Sequence, residues 1–271
     1  MIPFDFEYHR PNTLDDAIQL LEDHKAAVFC GGTEFTTFAR NNHLHLDAII
    51  DIKGLPECQE FKDEGGQIIL GAALTLNEII EAGRFPLLGE TVRRVADHSS
   101  RNKITIGGHL NSRLIYREGM LPLLLSDTKL KVAGINGERI IQLDHSNQLQ
   151  LNPGEVLIQI MIDKKYASLP FVHYKKTRFS KVGYPLLTIA AIQKEDKMAF
   201  AFSGISSNPF RSEDMESVLN DDSLSPPERV EKAIELLPAP IIDDFQGSAG
   251  YRKFILSNGL LQIIKDFEEA N

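Results

Sequence analysis

One stretch constrains this chain more than any other: a short apolar run that breaks into a glycine pair. Ala26-Ala27-Val28-Phe29-Cys30 leads into Gly31-Gly32-Thr33 and then into the helix-compatible stretch Glu34 to Arg40. The pattern reads as strand, tight turn and helix. A second pair, Gly107-Gly108, closes the run Arg101-Asn102-Lys103-Ile104-Thr105-Ile106. Paired glycines at the mouth of a helix let the backbone come close to a ligand, and the free N–H groups there can cradle a phosphate without a cation. Neither loop fits G-x-G-x-x-G or the pattern ending in Gly-Lys-Ser/Thr, so a Rossmann or nucleotide-hydrolase reading lacks its main support. Taken alone, most such pairs are simply turns.

The remainder of the chain supplies a mixed pattern. Thr13-Leu14-Asp15-Asp16 reads as a helix N-cap, followed by Ala17, Ile18, Leu20 and Leu21 at helical spacing, and Ala48 to Ile52 reads as a buried strand. Gln67 to Ala72 is a strand, Thr75-Leu76-Asn77-Glu78 a capping box, and Leu87 to Val95 an amphipathic stretch. Met120 to Leu125 suits a packed helix, and Leu130 to Val132 and Ile140 to Leu143 flank an Asn136-Gly137 hairpin turn. Glu155 to Ile162 alternates polar and apolar, as a half-buried strand does. From Phe171 onward three strand-like runs (171–176, 186–193, 198–205) precede helical segments, one opened by Ser225-Pro226-Pro227-Glu228 and the last capped by Ser248. That shift places a domain boundary near 165 to 170.

A formal net charge of −9 over 271 residues argues against a general nucleic-acid surface, which needs clustered Lys and Arg. An anionic ligand must be held by local donors. No apolar run approaches the ~20 residues of a membrane span, and the first residues start no signal peptide, so a cytoplasmic protein is the default expectation. Cys30 and Cys58 are too few to ligate an iron–sulfur cluster. His43 and His45 have ligand-like spacing but no acid or Cys partner in their segment, so no metal site is expected.

The neighbours of the glycines bring in a resemblance. Tyr8-His9-Arg10-Pro11-Asn12-Thr13-Leu14-Asp15-Asp16-Ala17 and Cys30-Gly31-Gly32-Thr33-Glu34-Phe35 resemble the Y-x-R-P-x-S/T-L-x-x-A and A-G-G-T-D/E motifs of the FAD-binding subunits of molybdenum hydroxylases. That family includes xanthine dehydrogenase and carbon monoxide dehydrogenase flavoproteins. Arg101 to His109, followed by Glu118, resembles the family's R-N-x-A-T-I/L-G-G-N and later Asp, with His109 for Asn and Glu118 for Asp. Pro153 to Leu157, Tyr174 to Arg178 and Gly247 to Arg252 resemble three further motifs, so the likeness runs nearly the whole chain.

The resemblance implies an α+β fold. Residues 1–167 would be an FAD-binding domain of the vanillyl-alcohol-oxidase (PCMH) type, with α/β subdomains of about 1–55 and 56–167. Residues 168–271 would be a small α+β domain. Carried over by position, Cys30, Gly31, Gly32, Thr33, Glu34 and Phe35 would wrap the FAD pyrophosphate. Thr105, Ile106, Gly107, Gly108 and His109 would approach it from the other side, Glu118 would bind the cofactor's polar part, and Leu157 and Lys175 would flank the flavin. Val95 stands where some relatives place an aromatic. The implied role is an oxidoreductase subunit that passes electrons from a partner's iron–sulfur centres through FAD to NAD+ or another acceptor. The molybdenum cofactor and 2Fe-2S clusters would sit on partner subunits, and no acid, base or nucleophile is assigned here.

Plainer readings stand beside these. Glu118 alone would be a solvated acid at a helix start, Lys175 an exposed strand charge beside Lys176, Arg178 and Lys181, Cys30 a small buried strand end and His109 a hydrogen-bonding substitute. A stand-alone flavin enzyme of the same fold, such as the reductase of cell-wall precursor synthesis, and an assembly protein that has lost FAD remain open alternatives.

Overall fold

A computed structural model describes residues 2, 4–23, 25–41, 46–143, 149, 151–179 and 183–270; His43, His45 and Lys181 lie outside the described residues. Three sheets follow one another along the chain. The first is parallel, with β1 (Glu7–His9), β2 (Ala26–Phe29) and β3 (Ala48–Asp51) in the order β1-β3-β2. Helices α1 (Leu14–Asp23) and α2 (Thr33–Arg40) make its two crossovers. Thr13 Oγ1 accepts the Asp16 N–H at 3.2 Å, and α1 turns Leu14, Ala17 and Ile18 inward. Such a cap contributes about 1 kcal/mol.

After the short helix α3 (Pro56–Gln59), the second sheet is antiparallel. It comprises β4 (Phe61–Glu64), β5 (Gln67–Gly71), β6 (Lys129–Gly134), β7 (Gly137–Gln142) and β8 (Val156–Asp163), ordered β4-β5-β8-β6-β7. Between β5 and β6 run α4 (Leu76–Ala82), α5 (Pro86–Arg93), α6 (His98–Arg101), α7 (Ile106–Leu110) and α8 (Met120–Leu124). Thr75 and Glu78 close the expected capping box on α4.

The half-buried strand expected at Glu155 to Ile162 is instead a buried central strand. Its register with β6 shifts between Leu157 and Gln159, leaving Ile158 as the extra residue of a bulge. Val156 and Ile158 therefore pack toward α1 and the first sheet, while Leu157, Ile160 and Ile162 join the larger core with α4, α5 and α8. Gln159 is tolerated there because its amide donates to Glu60 Oε2 at 2.5 Å.

The third sheet is antiparallel, with β9 (Phe171–Thr177), β10 (Pro185–Lys194), β11 (Lys197–Ser203) and β12 (Phe210–Arg211) ordered β12-β11-β10-β9. Ala190, Ile192 and Ala201 from one face enter the larger core. Leu187, Ile189, Phe200 and Phe202 from the other pack with α9 (Glu213–Leu219), α10 (Pro226–Glu235) and α11 (Ala249–Ala270). Ser248 caps α11 by accepting the Tyr251 N–H at 3.2 Å. Arg252, fully buried, donates to Leu186 O at 2.8 Å, Gly204 O at 2.7 Å and Asp244 Oδ1 at 2.7 Å. The last motif of the chain thus fastens the start of α11 to the sheet. Among the described residues no helix is long and apolar enough to cross a membrane, and no cluster of His, Cys, Asp and Glu could hold a metal.

Candidate functional site

The two glycine loops meet at a cavity of about 820 Å3, within the range of small-molecule and cofactor sites. Its walls are β2 and the head of α2, the segment from Val95 to Glu118, the start of β8 and Tyr184.

At the first loop, Gly32 takes φ +74° as N-cap of α2, and a Cβ there would lie 2.4 Å from the Phe29 ring. Only glycine fits. A Cβ on Gly31 would lie 2.1 Å from Lys103 O, so Gly31 is what lets the two loops touch. The loop is braced from below: Lys53 Nζ donates to Cys30 O at 3.0 Å and to Asp51 Oδ2 at 2.8 Å, and Tyr8 donates to the same carboxylate. Burial pushes the Asp51 carboxyl up, but the bonds from Lys53 and Tyr8 outweigh it and hold the group below its usual range. Among the described residues, the N–H groups of Gly32, Thr33, Glu34 and Phe35 have no partner, since the first helical bond here runs from Thr36 N to Gly32 O at 2.9 Å. They form the kind of nest that holds an anion.

The second loop is different. Thr105 caps α7, and Gly107 and Gly108 lie in its first turn rather than before it. The N–H groups expected to be free are already engaged: Ile106 N donates to Leu74 O at 2.9 Å, Gly107 N to Ala72 O at 2.9 Å and His109 N to Thr105 O at 2.8 Å. A Cβ on Gly107 would lie 2.7 Å from Ala72 Cβ, so this glycine serves close packing. Gly108 faces outward, its N–H reaching Thr105 Oγ1 only at 3.4 Å. Cys30 sits between the loops with Sγ 3.6 Å from Ala72 O, and burial pushes its thiol up to about 11. It is unreactive at neutral pH.

Of the residues singled out by sequence, Cys30 to Phe35, Thr105, Gly107, Gly108, His109, Glu118 and Leu157 all line the cavity, as does Val95. Ile106 does not, being fully buried in the core beneath α7. Lys175 also stands behind the wall. Its side chain, 3% exposed, pairs its ammonium with Glu118 Oε2 at 2.9 Å and donates to Arg94 O at 2.7 Å, while Thr188 Oγ1 donates to Glu118 Oε1 at 2.9 Å. The plain readings of Glu118 as a solvated acid and Lys175 as an exposed charge are therefore replaced by a buried ion pair joining this segment to the third sheet. Burial raises the Glu118 carboxyl, with Lys175 opposing it. The Glu34 carboxylate accepts the Arg113 N–H at 2.8 Å and so holds the facing wall in place.

His109 Nε2 accepts the Gly119 N–H at 2.9 Å, which leaves the ring proton on Nδ1. Burial, with Arg117 and Lys175 nearby, lowers its pKa to about 4, so the ring is neutral at pH 7. Sequence reasoning passed over Arg117 and the pair Tyr116 and Tyr184, whose rings stack at 4.7 Å beside the cavity. They lie between motifs or far apart in the chain, and only folding brings them to one wall.

With that geometry in view, residues 4–164 match the family described as the FAD binding domain in molybdopterin dehydrogenase. The chain belongs to that family. As an FAD-binding domain of this type, it is 27% identical over 172 residues to the carbon monoxide dehydrogenase medium chain of Hydrogenophaga pseudoflava, a match that spans 60% of each chain. It is 28% identical over 199 residues to the xanthine dehydrogenase FAD-binding subunit of Escherichia coli O157:H7, covering 70% of this chain and 67% of that one. The fold is shared with a chain in the solved structure of carbon monoxide dehydrogenase from Hydrogenophaga pseudoflava, at TM-score 0.88 and 22% identity over 98% of both. The mixed α+β architecture expected from sequence is thus the family's.

Proposed function

We propose that this chain is the FAD-binding, electron-transfer subunit of a molybdenum hydroxylase-type complex, with residues 1–167 as the FAD domain and 168–271 as its C-terminal domain. The carrying observation is the pairing of the cavity with the four unpartnered N–H groups of Gly32 to Phe35. The cavity suits the group: a nest for a dianion, a glycine that no Cβ could replace, and apolar walls at Val95, Ile104 and Leu157. When bound, FAD would supply the redox chemistry that links iron–sulfur centres of a partner subunit to NAD+ or another acceptor.

The chain's own residues bind and orient. Gly32 to Phe35 would hold the pyrophosphate with the positive end of α2, and the Thr33 hydroxyl would add a donor. Val95, Ile104 and Leu157 offer apolar surface that excludes water from the ring system. Thr105, Gly107 and Gly108 shape the opposite wall, and neutral His109 fixes Gly119 rather than contributing charge. The Glu118–Lys175 pair locks that wall to β9. No residue of this chain is assigned a proton-transfer step.

The absorbance spectrum of the purified protein, with extraction of the cofactor, tests this reading. A yellow protein that releases FAD and co-purifies with an iron–sulfur chain and a molybdenum chain is the expected result. A colourless protein that cannot be reconstituted with FAD contradicts it.

A further inference from the structure

Two basic side chains among the described lining residues, Arg113 and Arg117, share the cavity with four acids, Glu34, Asp97, Glu118 and Glu155. Each acid is already engaged: Glu34 with the Arg113 N–H, Asp97 with the Ser100 N–H, Glu118 with Lys175 and Glu155 with Arg139. His109 is neutral. The Arg113 guanidinium lies over the Phe38 ring at 5.4 Å. Arg117 differs from all of these. Its Nε is buried with no hydrogen-bond partner, while Nη2 is anchored to Asn208 Oδ1 at 2.8 Å. Among the described residues no carboxylate forms an ion pair with it. Its backbone is held at φ +29°, a conformation L residues seldom adopt.

A buried guanidinium N–H without an acceptor is costly, and it invites an anion. The α2 N-terminus alone brings only about half a positive charge toward a dianion. We infer that Arg117 is the counter-charge to the phosphate groups of the cofactor, its guanidinium pairing with the pyrophosphate that the head of α2 holds. The inference rests on the FAD reading above and adds to the backbone cradle a side-chain cation that no sequence motif of this chain marked. It also accounts for the Asn208 contact, through which the third sheet's β11–β12 connection aims the guanidinium.

The test compares two flavins that share a ring system but differ in phosphate. Riboflavin and FAD are titrated, by flavin fluorescence, into the cofactor-stripped full chain in the assembly in which it is isolated, as wild type and as Arg117→Met. FAD affinity is expected to fall about tenfold or more, the scale of a charge-assisted bond, with riboflavin affinity changed by less than about twofold. Retained riboflavin binding shows that the variant is folded; if Arg117→Met does not fold, Arg117→Gln carries the same test with the same expectation. Unchanged FAD affinity, or equal losses for both flavins, overturns the assignment of Arg117 alone. A wild-type chain that binds neither flavin overturns the FAD reading and this inference together.

Discussion

At Gly31-Gly32 the chain turns from β2 into α2 with a left-handed residue at the N-cap, and four N–H groups are left facing a cavity. At Gly107-Gly108, on the same cavity, the glycines lie inside a five-residue helix whose N–H groups reach back to Ala72, Leu74 and Thr105. The first pair leaves open N–H groups of the kind that suit an anion. The second makes a wall, pressed close to Ala72 and supported from behind by the Glu118–Lys175 pair. Similar dipeptides thus do different work, and what separates them is that the turn after β5 brings the carbonyls of Ala72 and Leu74 to the second loop.

The largest effect is expected where the two loops touch. Gly31→Ala puts a Cβ 2.1 Å from a backbone oxygen, which no rotamer change relieves, and should cost about 4 kcal/mol in chemical denaturation. A variant as stable as wild type would mean that the loops are not held together. Next comes the support of the wall. Lys175→Met leaves the Glu118 carboxylate buried without its cation and should cost about 3 kcal/mol at neutral pH, with part regained in acid as Glu118 protonates. A pH-independent loss would contradict an ion pair there.

These two sites also show what was legible in the sequence. Strand, turn and helix around Gly31-Gly32 followed from local pattern, because apolar run, glycine and helix former are contiguous. The capping box at Thr75, the helix start at Ser225 and the hairpin at Asn136-Gly137 were legible for the same reason. The engagement of the Gly107 N–H was not, since its acceptor is the carbonyl of Ala72, more than thirty residues earlier. Taken alone, Lys175 and Glu118 read as exposed charges because their partnership joins the α7–α8 connection to β9, far along the chain. β8 was legible as a strand but not as a buried one, since the bulge at Ile158 and the first sheet's cover on its second face are tertiary features. Strands β1 and β4, three and four residues long and largely solvent-facing, carry too little apolar signal to stand out.

A smaller effect concerns His109 in the wall. Its folded pKa of about 4 lies below the ordinary 6.5, so the unfolded chain binds the proton more readily, and stability is lost as pH falls through that window. His173, lowered to about 3 by burial with Arg94 and Lys175 nearby, shares the trend. His109→Asn should reduce the fall in stability between pH 7 and 5 by about 2 kcal/mol in urea unfolding. Equal slopes in the two proteins would contradict a neutral His109. The smallest effect is expected at Gly108, where a Cβ would meet only Thr105 Oγ1 at 3.0 Å. Gly108→Ala should change stability by less than about 1 kcal/mol, unlike Gly31→Ala. A comparable loss would erase the contrast between packed and open glycines.

Amide hydrogen exchange with and without FAD tests the central claim most directly, because the two loops differ in which N–H groups are free. Addition of FAD should slow exchange at Gly32 to Phe35 while leaving Ile106, Gly107 and His109 nearly unchanged, their N–H groups being bonded already. Slowing confined to the second loop, with Gly32 to Phe35 unaffected, would contradict the account.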